Sequence, residues 1–151
     1  LDIIKLPSPK CLEVIIIRPN IEIKTSDSRS VVKKKVKIEK MVQQSANLGA
    51  FISSLYSEDF DLMSRSIVDE VVEPDRSVLI PEFESIKKIS IESGALSFGI
   101  SGSGPSMFAL SNNSETSKIV LNNVCNHLDK VNIDYDSFIS KVNPKGIKIL
   151  D

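Results

Sequence analysis

Leu96-Ser97-Phe98-Gly99-Ile100-Ser101-Gly102-Ser103-Gly104-Pro105-Ser106-Met107-Phe108-Ala109-Leu110 reads as a strand, a turn and a returning strand. Leu96, Phe98 and Ile100 alternate with smaller residues, Ser101 to Pro105 has the glycine and proline content of a turn, and Met107 to Leu110 is the second strand. Helices are expected on both sides of this hairpin. Upstream, Pro81 suits the first turn of a helix carrying Phe83, Ile86 and Ile89, which closes at Gly94. Downstream, Ser114 suits the cap of a helix whose Leu121, Val124, Cys125 and Leu128 share a face. Strand material follows at 133–142 and again at 146–150.

The first half of the chain supplies the remaining elements. Cys11 to Arg18 holds the unbroken run Val14-Ile15-Ile16-Ile17 and stops at Pro19-Asn20, which predicts a strand buried on both faces. Thr25 and Ser26 are candidate N-caps of a short helix running to about Val32 and carrying Arg29. From Ile38 to Tyr56, Met41, Leu48, Ile52 and Leu55 keep helical spacing and form the expected buried stripe of the longest helix. Another helix opens at Glu58 or Asp59, passes through Leu62, Met63, Ile67 and Val71, and stops at Pro74, leaving Arg76 in an irregular segment. Together these give an α+β fold over residues 1–151, a four-stranded antiparallel sheet with helices on one face in a ferredoxin-like arrangement. Val14 to Ile17 has no polar alternation, so the second face of the sheet calls for a cover.

Composition narrows the function. The 151 residues carry 41% apolar and 26% charged side chains and a net charge of −1, the profile of an ordinary globular domain without the basic excess of a nucleic-acid binder. No stretch has the length of a membrane helix, no signal peptide opens the chain, and a cytosolic location is expected. Cys11 and Cys125 lack metal-ligand spacing and read as two core thiols.

The residues that can carry chemistry are few. Gly102 and Gly104 allow positive φ, so Ser101 to Pro105 is either a plain hairpin turn or a nest of amides that suits an anion. It is no P-loop, because Pro105 stands where the phosphate-binding lysine belongs, and no dinucleotide fingerprint, because Met107 stands where the third glycine belongs. Arg29 and Arg76 offer planar guanidinium forks that match a carboxylate or phosphate, although most arginines are simply solvated. Gln44 and Asn47 share one side of the long helix and either bind a ligand or another part of the protein. His127 has no acid or second histidine at ligand spacing.

Gly99 to Ser106 with Met107-Phe108-Ala109-Leu110 resembles the third motif of the GHMP superfamily of small-molecule kinases. Arg18-Pro19-Asn20, Thr25 to Arg29, Gln43 to Leu48, Asp69 and Glu73-Pro74-Asp75-Arg76 are similar, within it, to the homoserine kinase family. The resemblance implies transfer of the ATP γ-phosphate to the side-chain hydroxyl of L-homoserine, a step towards threonine. It implies that Thr25, Arg29 and Arg76 bind the acceptor, the two arginines on its α-carboxylate, and that Gly102, Ser103 and Gly104 support the phosphate loop. The family's nucleotide loop and acidic Mg²⁺ residue do not occur in this sequence. ATP and Mg²⁺ are therefore expected to sit mainly on an absent N-terminal domain, with no catalytic residue and no metal ligand here and no activity for this chain alone. A homodimer is likewise implied, and an exposed apolar patch is expected where the absent N-terminal domain packs. The alternatives are a GHMP kinase with another acceptor and a non-catalytic amino-acid-binding regulatory module.

Overall fold

The computed structural model describes residues 2–144 and 146. Its sheet has four strands in the order β2-β3-β1-β4, with every neighbouring pair antiparallel. These strands are β1 (Glu13–Pro19), β2 (Ser97–Ile100), β3 (Met107–Ser111) and β4 (Tyr135–Lys141). This is the expected ferredoxin-like sheet. The expected strand material at 146–150 lies outside the described residues, Gly146 excepted.

Two helices cover one face of that sheet. The first, α5 (Phe83–Glu92), ends where Gly94 takes φ 98°, and the second, α6 (Ser114–Lys130), follows β3. Ile15 and Ile17 of β1, Met107 and Ala109 of β3, Ile86 of α5 and Val120, Val124 and Leu128 of α6 are all fully buried in this layer. Phe83 and Phe98 meet edge to face with ring centroids 5.4 Å apart. Asn113, not Ser114, caps α6 by accepting from the Thr116 amide at 2.8 Å.

The other face is partly covered as well. Helices α2 (Ile38–Ser57) and α3 (Phe60–Ser66) place Leu55 and Met63 against Leu12 and Leu110, with Val14, Phe51 and Phe108 half-buried around them. Val14 and Ile16 are thus less enclosed than Ile15 and Ile17, which corrects the expectation of a strand buried equally on both sides. In α2 the expected stripe holds at its C-terminal half and fails at its start: Leu55 is buried and Ile52 half-buried, while Met41 and Leu48 are exposed and Asn47 and Ser54 face inwards instead. Helical periodicity identifies which residues share a face, and packing decides which face is covered.

Three smaller corrections follow. Asp59 caps α3 by accepting from Leu62 N at 2.8 Å, but α3 stops at Ser66 and does not run to Pro74. Cys11 is exposed, not a core thiol, and Cys125 is half-buried; both are free. His127 does have an acid partner, Glu82, with Nε2 2.9 Å from Oε2, tying α6 to the residue before α5.

Candidate functional site

The chain after α3 has no helix to satisfy its amides, so side chains do so. Asn47 donates to Val68 O at 3.1 Å, and Gln44 accepts from Glu70 N at 2.8 Å. The Asp69 carboxylate accepts from the amides of Val71, Val72 and Glu73 at 2.9, 2.8 and 3.2 Å. These bonds replace the helical ladder, which is why α3 ends early, and they give Gln44 and Asn47 the structural role. The Asp69 carboxylate also serves as anchor for the short helix α4 (Glu73–Arg76), which has Pro74 in its first turn. Arg76 is therefore the last residue of a helix and not part of an irregular segment.

From α4, Arg76 reaches two other elements. Its Nε donates to Ser28 O in the short helix α1 (Thr25–Ser30), and its Nη1 donates to Gly102 O in the glycine-rich turn, both at 3.1 Å. Ser28, fully buried, closes the triangle by donating its hydroxyl to Ser103 O at 2.7 Å. The second terminal nitrogen of Arg76, Nη2, has no protein acceptor among the described residues. Arg29, one residue beyond the carbonyl that Arg76 grips, is exposed and makes no ion pair or hydrogen bond among the described residues. Thr25 is the exposed first residue of α1 and caps nothing: Lys24 is the N-cap, and no side chain accepts there.

In the turn, Gly102 and Gly104 take φ 65° and 80°, a region open to glycine at little cost. A Cβ on Gly104 would lie 3.1 Å from Ile80 Cδ1. Ser101 N donates to Ser106 O at 2.8 Å and Gly104 N to Ser101 O at 3.2 Å, while the amides of Gly102 and Ser103 have no acceptor among the described residues. Because a trans peptide points its N–H opposite to its C=O, the bond from Arg76 to Gly102 O turns the Ser103 amide away from the guanidinium. The turn thus combines both readings offered by its sequence. It is a hairpin turn with two amides to spare.

A cavity of about 300 Å³ lies between α2 and the β2–β3 hairpin, with Asp69, Glu73 and Arg76 as its charged lining. Burial pushes the Glu73 carboxyl above its ordinary range, opposed by Lys87, whose ammonium donates to Oε1. Gly99 leaves the room this carboxyl needs, since a Cβ there would come within 3.3 Å of Glu73 Oε2 and 3.1 Å of the Phe108 ring. Lys33 holds the neighbouring Asp75 through its amide and its ammonium, both at 2.9 Å, and so lowers the Asp75 pKa. Two charged pairs therefore fix α4, one to a lysine that precedes it in the chain and one to a lysine that follows it.

The family model for GHMP kinases C terminal matches residues 38–130. The chain belongs to the GHMP kinases. Among curated relatives of this GHMP kinase chain, a homoserine kinase of Chlorobium phaeobacteroides (strain DSM 266) is 40% identical over 99% of the chain. One of Chlorobaculum tepidum is 37% identical over the same share. The chain spans about half the length of these relatives, 48% and 47%. The crystal structure of homoserine kinase from Cytophaga hutchinsonii superposes with a TM-score of 0.92 at 41% identity, over 95% of this chain and 46% of that one. An L. major mevalonate kinase structure shares the fold alone, with a TM-score of 0.65 at 12% identity over 91% of this chain and 44% of that one.

Two residues of the candidate site, Ser28 and Glu73, lie in the stretches that carry the resemblance but are given no role by the sequence. Ser28 lies inside the Thr25 to Arg29 stretch, and only its burial distinguishes it from Ser26 and Ser30. Glu73 sits three residues before Arg76, a helical spacing visible in the sequence once α4 is placed.

Proposed function

We propose that this chain is the acceptor-side domain, over 1–151, of an ATP-dependent kinase that phosphorylates the side-chain hydroxyl of L-homoserine. One observation carries the reading: Arg76 is locked by two backbone carbonyls at the place where α1, α4 and the glycine-rich turn meet, with Nη2 free and with Arg29 following the gripped Ser28 on α1. A guanidinium fixed in this way presents its remaining donors to a carboxylate without losing further conformational freedom. Arg29 supplies the second positive charge, and Thr25 lies on the same helix. The pair selects acceptors with a carboxylate, orients the acceptor, and leaves its hydroxyl free to react. The homoserine kinase relatives, alike over nearly the whole chain, support this choice of acceptor.

The nucleotide belongs to the complete protein. The free amides of Gly102 and Ser103 suit a phosphate oxygen, which fits Gly102, Ser103 and Gly104 as support for the phosphate loop. As the resemblance implies, Mg²⁺ is assigned to the nucleotide-binding domain that this reading pairs with the chain. Alone, the chain lacks the means to hold both reactants, and we expect it to be inactive. A cytoplasmic homodimer completes the reading; no helix among the described residues is long and apolar enough to cross a membrane.

Homoserine-dependent release of ADP by the complete protein tests the proposal. Activity with L-homoserine, and little with mevalonate or with the decarboxylated analogue 3-amino-1-propanol, is the expected result. Equal turnover with and without the carboxylate would remove it.

A further inference from the structure

We propose that Lys33 is a positioning residue for the acceptor: by holding Asp75 it fixes the direction in which α1 presents Arg29. This role rests on the acceptor clamp proposed above, and Lys33 itself touches no reactant.

Arg29 does not set its own direction. It is exposed and makes no ion pair or hydrogen bond among the described residues, so its guanidinium goes where α1 points it. That helix is thinly anchored. Of the six residues from Thr25 to Ser30, only Ser28 is buried. The hydrogen bonds that tie α1 to other elements both meet at Ser28, whose carbonyl accepts from Arg76 Nε and whose hydroxyl donates to Ser103 O. Attachments that share one residue form a pivot. Ile23, Val31 and Val32 on either side are only half-buried, and apolar contact is indifferent to direction.

Lys33 supplies the separate attachment that a fixed direction requires. Its amide donates to Asp75 Oδ2 and its ammonium pairs with Oδ1, both at 2.9 Å, so one residue takes both oxygens of the carboxylate. Charged hydrogen bonds of this kind are directional as well as strong. Asp75 stands beside Arg76, and Lys33 lies four residues beyond Arg29, so the pair joins the same two segments as the two guanidinium groups.

The two partners are not equally free. Helix α4 is already fixed by the Asp69 carboxylate ahead of it, by Lys87 on Glu73 and by Arg76 on Gly102 O. The Asp75 side chain is 8% exposed and that of Lys33 78%. Breaking the pair therefore loosens α1, and Arg29 with it, and leaves Arg76 in place.

Steady-state kinetics of the complete protein test this role. Lys33→Ala should raise the KM for L-homoserine about threefold, as fits the loss of an exposed ion pair, and Asp75→Ala, which removes both contacts, about tenfold. Lys33→Arg keeps the charge and should stay close to the parent. The preference for L-homoserine over 3-amino-1-propanol, read as the ratio of their kcat/KM values, should fall about threefold in Lys33→Ala, because only the carboxylate uses the clamp. In an Arg29→Ala background Lys33→Ala should add nothing, since it acts through Arg29. An unchanged ratio, as a merely destabilising substitution gives, or a full further rise on top of Arg29→Ala would overturn the proposal. If Asp75→Ala does not fold, the exposed Lys33→Ala still decides. Should Arg29→Ala alone leave the homoserine KM unchanged, the clamp falls and the role of Lys33 with it. Should Arg29→Ala raise that KM while Lys33→Ala does not, the clamp stands and only the role of Lys33 falls.

Discussion

The layer beneath α5 and α6 and the junction of α1, α4 and the glycine-rich turn are held by different forces. Beneath the helices, Ile15, Ile17, Met107, Val120, Val124 and Leu128 are fully buried and the cohesion is apolar. At the junction, Arg76 and Ser28 hold three elements through carbonyl oxygens, across sequence separations of 48, 26 and 75 residues. Apolar burial is large and indifferent to direction, so it sets the stability of the domain. The junction contributes less stability but fixes the direction of particular donors, which is what recognition of a carboxylate requires.

Substitutions should separate the two regions. Phe83→Ala removes a buried ring that packs edge to face against Phe98 and should cost about 3–5 kcal/mol in urea unfolding. A loss below 1 kcal/mol would show that the apolar layer is not the main source of stability. Asp69→Ala frees three amides ahead of α4 and should cost about 1–2 kcal/mol, with a raised acceptor KM because Arg76 loses its anchor. Ser28→Ala should cost about 1 kcal/mol by the same assay, since it removes the buried hydroxyl that pairs the half-buried Ser103 carbonyl. Thr25→Ala, which removes no cap, should stay within about 0.5 kcal/mol.

Glu73 adds a dependence on pH. Burial holds its carboxyl above the ordinary value of 4.5, so the folded state binds the proton more tightly than the unfolded chain does. The stability it contributes is complete below that ordinary value and is lost as pH rises through the raised one. Glu73→Gln cannot ionise, so thermal melts should show it gaining on the parent as pH rises from about 4 to about 7. A gap that stays constant over that range would mean that Lys87 compensates fully for the burial.

The fold was more legible than the site. The hairpin, α5 and α6 follow from alternation, helical spacing and Gly94, all of which are local. The end of α3 was not legible, because Asn47, Gln44 and Asp69 act on residues 68–73 through contacts that no periodicity records. The start of the α2 stripe was misread for a related reason: Met41 and Leu48 keep helical spacing with the covered Ile52 and Leu55 whether or not anything covers them. Arg29 and Arg76 stood out through resemblance and guanidinium chemistry. Ser28, which joins α1 to the turn, looks like any other serine in the sequence.

The most direct test of the acceptor clamp is the steady-state kinetics of the complete protein against its Arg76→Ala and Arg29→Ala variants. Each should raise the KM for L-homoserine by about 30-fold or more, as expected when one partner of a charged pair is removed at about 2 kcal/mol or above. The KM for ATP should change little. Equal increases in both constants, or no change in the homoserine KM, would contradict the account.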